Sequence, residues 1–412
     1  MRGWRVLSEQ FPIRRNTTIL AVVVAVNSAV LQLGAAVLTL TFVLVTGFRA
    51  LIGAGPAIYL TAAALSAFPA GRAMDRFGRV PVIATGFLLG SIGCLLTASG
   101  THWDQTVLVI VGFALVGTSG AVTLLIRTAA GDMYPPERRA RGISYVLFGA
   151  VFGAILGPVV FGPLFAGKDV SADTLTVPWL VAAGLSLVTF TLVLTVRPDT
   201  KVIAEQISAR GPTPPPTGAA PIREILRRPG VLPSMLAAVA SFGVMVSVMN
   251  LTGYVVVDLH HHAQSSVFLI IGAHVLGMYA LVLVIGTLID RIGRMPALVG
   301  GLTLMAVSCI GLLWFESVPT TAALLFGLGL GWNLSFVSAT AQLADATRPA
   351  ERGKVLGLND LVSGLTGAGL ALAGGVALDV VGVAALAIGA TLLAIAPAIF
   401  LARLKPATQT AG

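Results

Sequence analysis

Apolar residues follow one another along this chain in long runs, not in an alternating or one-sided pattern. A helix that crosses the hydrocarbon core of a bilayer needs about 20 mostly apolar residues. Because the first run is too long for a cleavable signal peptide and more membrane follows it directly, we expect residues 1–16 to remain in the mature protein. The runs predict twelve membrane-spanning helices, at residues 18–45, 51–70, 81–100, 106–131, 142–166, 175–196, 231–257, 265–288, 297–315, 319–345, 355–378 and 380–401.

The composition excludes a soluble globular protein. Hydrophobic residues make up 56% of the chain and charged residues 10%, and the mean hydropathy is +0.93. Soluble domains carry about 25% charged residues. With only two cysteines, Cys94 and Cys309, a disulfide scaffold is excluded as well, and we expect both to be buried free thiols.

The basic residues set the orientation. If the number of spans is even, all but three of the 26 Lys and Arg residues fall on one side of the membrane. The exceptions are Arg49 and Lys168 in loops of the other side, and Arg127 inside a span. Since Lys and Arg concentrate in cytoplasmic loops, both termini are predicted to be cytoplasmic. The same bias explains the net charge of +9 without a nucleic-acid partner. Trp103, Trp179 and Trp314 lie near predicted outer ends, as an interfacial aromatic belt would.

An internal repeat divides the chain in two. The loop from Gly71 to Pro81 reads GRAMDRFGRVP, and the loop from Gly286 to Pro296 reads GTLIDRIGRMP. A second pair of loops, beginning at Asp132 and at Asp345, corresponds more loosely. We predict a six-helix bundle over residues 1–197, a flexible cytoplasmic linker with a surface helix over 198–230, and a second bundle over 231–412.

The paired G-x-x-x-D-R-x-G-R loops resemble the signature of the major facilitator superfamily. The resemblance implies an all-α membrane protein of twelve transmembrane helices, in two pseudo-symmetric six-helix bundles that expose a central site to one side at a time. It also implies a conformational latch. Asp75 would dock at the positive end of the eleventh span, near Gly357, and Arg79 would pair with Asp132. The residues of this latch in both halves are Gly71, Asp75, Arg76, Gly78, Arg79, Asp132, Gly286, Asp290, Arg291, Gly293, Arg294 and Asp345.

The fifth span carries regularly spaced glycines. Gly149, Gly153 and Gly157 are four residues apart, and Pro158 follows. Small residues at this spacing let membrane helices approach closely. The segment partly matches a pattern of the superfamily's antiporters, which favours efflux, but Phe161 stands where a second Gly is usual.

Polar residues inside the spans are candidate substrate contacts, because each costs free energy in hydrocarbon unless it faces a cavity or a partner. Arg127 is the exceptional case: it serves either the substrate or the charged network around Asp132. We also note Asn250, Tyr254, Asn359 and Asp360 within spans. The predicted substrate-binding residues are Asn27, Gln32, Arg127, Met245, Met249, His274, Met278, Tyr279, Trp332 and Asn333.

Sulfur and imidazole suggest a metal as one substrate. Met245 and Met249 lie four residues apart on the seventh span, and His274 and Met278 lie four apart on the eighth. Thioether and imidazole groups suit Cu(I). The alternative is ordinary packing, since Met fills irregular helix contacts. These motifs resemble the bacterial copper importers of the superfamily, a branch that is also implied to include riboflavin transporters.

Three functions therefore remain open: copper uptake, proton-coupled movement of an organic solute such as a flavin or a drug, and solute sensing without flux. In the second, His274 would carry the proton, because ordinary histidine titrates near neutral pH. No cofactor is expected, and no motif of a membrane enzyme is present in the sequence. We expect a monomer in the bacterial inner membrane. Asp258, His260, His261 and His262 form a polar stretch at the outer mouth, where metal ions are the less favoured occupants.

Overall fold

The computed structural model describes residues 11–47, 54–165, 171–209, 220–254, 264–314 and 317–403. Long helices dominate this part of the chain, as the apolar runs predict. The principal helices are α1 (Ile13–Thr46), α2 (Ala54–Phe77), α3 (Arg79–His102), α4 (Thr106–Asp132), α5 (Arg139–Leu147), α6 (Gly149–Phe165), α7 (Thr176–Leu194), α8 (Thr200–Ala209), α9 (Ile222–Leu226), α10 (Val231–Tyr254), α11 (Gln264–Tyr279), α12 (Val282–Ile292), α13 (Arg294–Gly311), α14 (Val318–Asp345), α15 (Pro349–Val381) and α16 (Val383–Arg403).

Each of the twelve predicted spans corresponds to one of these helices or to a broken pair. Nine helical segments in the described ranges are long and apolar enough to cross a membrane, or ten if a bent pair is counted as one span. That pair joins the end of α11 to α12 with a bend of 43°. The fifth span likewise runs through α5 and α6. The two other predicted spans coincide with α2 and α15.

The region predicted as a linker begins with a helix. Residues 200–209 form α8. Thr200, Ile203 and Ala204 of this helix are buried, because it packs against the ends of α3 and α4. The predicted surface helix near residue 222 corresponds to α9, and the proline-rich stretch between them lies outside the described residues.

Contacts divide the structure into two compact units. The first comprises Met1–Pro135, Tyr145–Thr217 and Pro349–Leu361; the second comprises Pro136–Ser144, Gly218–Arg348 and Val362–Gly412. The beginning of α5 is thus grouped with the second unit, and the beginning of α15 with the first. The bundle boundaries inferred from the repeat remain a prediction.

Each unit has its own apolar core. In the first, Phe113 and Trp179 pack with ring centroids 5.9 Å apart. Trp179 is fully buried and its Nε1 donates to Thr41 Oγ1 at 3.2 Å, so its assignment to an interfacial belt is wrong. Trp103 and Trp314 are exposed. Cys94 and Cys309 are buried free thiols, as predicted.

Candidate functional site

A buried charged cluster lies at the junction of α2 and α3. We call Asp75, Arg79, Asp132 and Arg352 the first charged cluster; all four belong to the first unit. Arg79 Nη1 lies 2.9 Å from Asp75, and its Nε lies 2.8 Å from Asp132. Arg352 Nη1 reaches the other oxygen of Asp132 at 2.7 Å. Every charge in the cluster therefore has an opposite partner, which buried ions require.

Asp75 meets the beginning of α15. Its carboxylate accepts hydrogen bonds from the backbone amides of Gly353 at 2.9 Å and Lys354 at 2.6 Å. The amide ends of helices favour negative charge. The contact at Gly353 lies four residues before Gly357, near which the resemblance places it.

Glycines permit this approach. A Cβ atom on Gly71 would lie 1.9 Å from the carbonyl oxygen of Gly353, and one on Gly357 would lie 2.4 Å from that of Ala67. Backbones at such distances leave no room for a side chain. The spacing of these small residues therefore positions Asp75 at the helix end.

Burial and neighbouring charge shift the pKa of Asp75 in opposite directions. Desolvation raises the pKa of its carboxyl, while the charge of Arg79 and the amides of Lys354 and Gly353 lower it; the pKa lies above its ordinary value. A buried ion pair does not necessarily stabilise a fold, because desolvation can exceed the Coulombic gain. This contact is thus better suited to holding a particular geometry than to stabilising the protein.

The structure adds two residues that the sequence analysis missed. Asp199 accepts hydrogen bonds from the amides of Arg79 at 3.1 Å and Val80 at 2.8 Å. Lys201 Nζ donates to the backbone carbonyl of Asp75 at 2.5 Å. Both follow the sixth span directly, and no local sequence pattern relates them to a loop more than 100 residues earlier.

A matching cluster lies in the second unit. The second charged cluster is Arg139, Asp290, Arg294 and Asp345. Arg294 lies 2.7 Å from Asp290 and 3.2 Å from Asp345, and Arg139 also pairs with Asp345. Asp290 accepts from the amide of Arg141 at 3.2 Å, near the beginning of α5. The repeat in the sequence is therefore matched by a repeat of contacts.

The remaining signature residues divide into two kinds. Gly78 and Gly293 have φ angles of 100° and 94°, a region that favours glycine, so they allow the sharp turns between helices. Arg76 and Arg291 are exposed and lie outside the ion pairs of the two clusters. Arg76 instead lies over the ring of Phe77, 5.1 Å from its centroid.

Arg127 pairs with Asp360, deep in the first unit. Arg127 Nη2 donates to Asp360 Oδ1, and Nη1 donates to the carbonyl of Leu124 at 2.9 Å. Both side chains are buried. Asn359 Nδ2 lies 3.3 Å from the same Asp360 oxygen. The pair joins α4 to the beginning of α15.

The two polar residues of α1 contact neighbouring helices. Asn27 Nδ2 donates to Thr123 Oγ1 at 3.0 Å, and Gln32 Nε2 donates to the carbonyl of Gly153 at 2.7 Å. Asn27 thus lies one turn of α4 from Arg127, whereas Gln32 faces α6.

Aromatic residues of the second unit form a cluster on α11 and α14. The ring of Trp332 stacks on Phe336, with centroids 4.6 Å apart and planes at 17°. Tyr279 meets Trp332 edge-on at 6.2 Å. We call Tyr279, Trp332, Asn333 and Phe336 the aromatic cluster. Asn333 Nδ2 donates to the carbonyl of Met278. In the described structure, neither Trp332 Nε1 nor Asn333 Oδ1 has a hydrogen-bond partner.

His274 and Met278 both contact α14. His274 Nδ1 lies 2.9 Å from the carbonyl oxygen of Leu325, while its Nε2 has no hydrogen-bond partner among the described residues. Met278 packs against Gly329. Met245 and Met249 are half-buried on α10. The described ranges contain no group of three or more His, Cys, Asp and Glu residues that could hold a metal ion.

Some predicted positions cannot be placed. The stretch from Asp258 to His262 lies outside the described residues, as do the side chains of Asn250 and Tyr254.

Comparison with known proteins agrees with this architecture. The sequence profile of the Major Facilitator Superfamily matches residues 16–273 and 254–411. YdeG of Bacillus subtilis, described as an uncharacterized MFS-type transporter, is 32% identical over 337 residues, which are 80% of this chain and 77% of that protein. The riboflavin transporter RfnT of Brucella anthropi is 32% identical over 300 residues, or 73% of each chain.

Solved structures show the same fold. The proton:xylose symporter XylE superposes with a TM-score of 0.75 over 96% of each chain, at 15% identity. The fold and the sequence match together define a multi-pass membrane carrier. The chain belongs to the major facilitator superfamily and is a secondary transporter.

Proposed function

We propose that this transporter carries a planar, polar heteroaromatic solute of the flavin type, and that the aromatic cluster binds it. The observation that carries the proposal is the buried N–H of Trp332, which has no partner in the described ranges; the side-chain oxygen of the next residue, Asn333, is buried without a partner as well. A buried polar group without a hydrogen bond costs about 1–3 kcal/mol. A solute that pairs with both groups recovers this free energy.

The chemistry of a flavin fits this arrangement. Its ring system is flat and carries one N–H donor between two carbonyl acceptors along one edge, which complement one acceptor and one donor of the protein. Aromatic rings bind such planes by stacking or by edge contacts. Tyr279, Trp332 and Phe336 contact one another in both of these ways. The relative from Brucella anthropi, named as a riboflavin transporter, supports the same solute class.

Copper uptake is the weaker proposal. Its supporting observation is His274 Nε2, which is buried and has no hydrogen-bond partner in the part of the chain described. The other nitrogen of the ring is held by Leu325, however, so His274 is oriented towards α14. The copper ligand set of Met245, Met249, His274 and Met278 is therefore a hypothesis.

Counterflow in proteoliposomes tests the proposal. Purified protein is reconstituted with internal riboflavin, and entry of labelled riboflavin is followed. Trp332→Phe keeps an aromatic ring but removes the N–H, so the apparent affinity is expected to weaken about tenfold, the factor for one lost hydrogen bond.

The matched control is Trp314→Phe, the same change at an exposed tryptophan, which should leave affinity unchanged. Equal riboflavin affinity in Trp332→Phe and wild type would contradict the assigned site. Absence of counterflow in the wild type, together with copper accumulation that is lost in His274→Ala, would favour the metal instead.

A further inference from the structure

A groove follows α1 and the fifth span in the first unit. Its volume is about 730 Å³. It lies far along the chain from the aromatic cluster and includes none of the residues of the two charged clusters. The lining residues are Arg14, Thr17, Thr18, Ala21, Val22, Ala25, Tyr134, Tyr145, Phe148, Gly149 and Phe152.

Close packing of α1 against α6 forms the floor of this groove. A Cβ atom on Gly149 would lie 2.0 Å from the carbonyl oxygen of Ala21, and one on Gly153 would lie 2.6 Å from that of Ala25. The two backbones therefore run side by side, and larger side chains flank the seam. Val22 and Phe152 are exposed beside it.

The polarity of the groove changes along its length. At the beginning of α1 it carries a guanidinium and hydroxyl groups, from Arg14, Thr18 and Tyr145. Two to three turns further along α1 the lining residues are Ala21, Val22 and Ala25, opposite Phe148 and Phe152. From Arg14 to Ala25 a helix rises about 16 Å, at 1.5 Å per residue. That is close to half of the roughly 30 Å hydrocarbon core of a bilayer.

Positive charge at the polar end is available to a ligand. Arg14 is exposed, and no ion pair to it is found in the described structure. Its neighbour Arg15 instead donates to the backbone carbonyl of Thr195 at 2.9 Å. Tyr134 at the same end is held by Thr17, with 3.0 Å between their hydroxyl oxygens.

We propose that this groove binds one anionic phospholipid, with the phosphate at Arg14 and an acyl chain along Val22, Phe148 and Phe152. Charge complementarity selects an anionic headgroup, since basic pockets between membrane helices recognise such lipids. The groove as a whole is about as long as one leaflet, and its apolar end at Val22, Phe148 and Phe152 selects a molecule with an acyl chain over a free phosphate. The proposal is independent of the transported solute.

Native mass spectrometry of the full chain in detergent tests the assignment. The protein is titrated with phosphatidylglycerol and, separately, with phosphatidylcholine of the same acyl chains. We expect one phosphatidylglycerol molecule to remain bound in preference to phosphatidylcholine. Arg14→Gln should reduce that preference about fivefold, the factor for one Arg near an anionic headgroup. Arg15→Gln, the matched control, should keep it.

Two further experiments test whether the groove binds a phospholipid or only a free phosphate group. Val22→Trp fills the apolar part from an exposed position, and it should weaken retention of phosphatidylglycerol while thermal unfolding is unchanged. Glycerol phosphate, which lacks acyl chains, should not displace the lipid. Displacement by glycerol phosphate, an unchanged preference in Arg14→Gln, or equal losses in the two arginine variants would each overturn the proposal.

Discussion

Asp199 caps a helix that begins 120 residues earlier in the chain. The local cap position of α3 is Gly78, which provides no side-chain hydrogen bond. The carboxylate of Asp199 supplies it instead, through the amides of Arg79 and Val80. A residue of the connection after the sixth span thus completes the signature loop.

We expect Asp199→Ala to lower the free energy of unfolding by about 1 kcal/mol, the typical value of a helix cap. Thermal unfolding of the purified protein in detergent measures this. Asp173→Ala is the control, because that side chain is 80% exposed. Identical melting temperatures for Asp199→Ala and wild type would show that water replaces the cap without loss.

At the scale of helices, the glycines of the fifth span determine how closely α6 approaches α1. A Cβ atom on Gly153 would lie 2.2 Å from Cβ of Ser28, which is too near for any real contact. Gly184 on α7 has open space around it. The two positions are both helical glycines of the first unit, so they differ chiefly in what surrounds them.

Gly153→Ala should therefore destabilise the protein by about 1–3 kcal/mol, the range for overpacked contacts. Gly184→Ala should leave stability unchanged or slightly raised, since Ala is the better helix former. Thermal melts of the two variants side by side test this difference. Equal melting temperatures for the two variants would contradict the close packing of α6 against α1.

The pair between Arg127 and Asp360 links α4 to α15. Removing one partner of a buried ion pair leaves an uncompensated charge and costs about 3–5 kcal/mol, whereas replacing both by apolar residues is often tolerated. Asp360→Leu should consequently lower the yield of folded protein strongly. The double variant Arg127→Met with Asp360→Leu should recover it.

Folded yield is measured by fluorescence-detected size exclusion, and counterflow is then assayed on the double variant. If the pair serves transport, the recovered protein is inactive. Full activity in the double variant would restrict the pair to a structural role. Equal folded yields of the single and double variants would show that Arg127 and Asp360 do not stabilise the protein as a pair.

For the whole molecule, the two charged clusters repeat the same contacts in two units. They differ in exposure: Arg79 and Asp132 are 0% exposed, whereas Arg294 and Asp345 are 12% and 23% exposed. Water and salt screen exposed pairs and weaken them. We propose that both clusters act as latches in alternating access, and that the first is the stronger.

Asp75→Ala should accordingly slow transport more than Asp290→Ala, with expression intact in both. Initial rates in proteoliposomes provide the comparison. Arg76→Ala and Arg291→Ala are controls from the same loops, because these exposed arginines lie outside both clusters. Rates that fall equally in all four variants would indicate a general effect of loop charge and not a latch.

Much of the architecture was predictable because its causes are local. Apolar runs of membrane length define helices whatever their neighbours are, and the resemblance carried by the repeated loops implies the pairing of Arg79 with Asp132 and of Arg294 with Asp345, which the structure contains. Asp199 and Lys201 were not predictable, because their contacts join segments with no shared pattern. Trp179 was misplaced for the same reason: its position near a span end predicts an interface, and its buried contact with Thr41 is visible only in three dimensions.

By itself, the sequence determined that this protein is a helical membrane protein with duplicated charged loops, since hydrophobicity and charge placement act through the solvent and need no knowledge of partners. Tertiary structure alone decided the direction in which each polar side chain points within a span. A helix presents its residues all around its axis, so four sulfur and imidazole groups at helical spacing did not reveal that His274 turns to a carbonyl of α14. Nor did they reveal that the buried Trp332 Nε1 and Asn333 Oδ1 lack hydrogen-bond partners in the described structure.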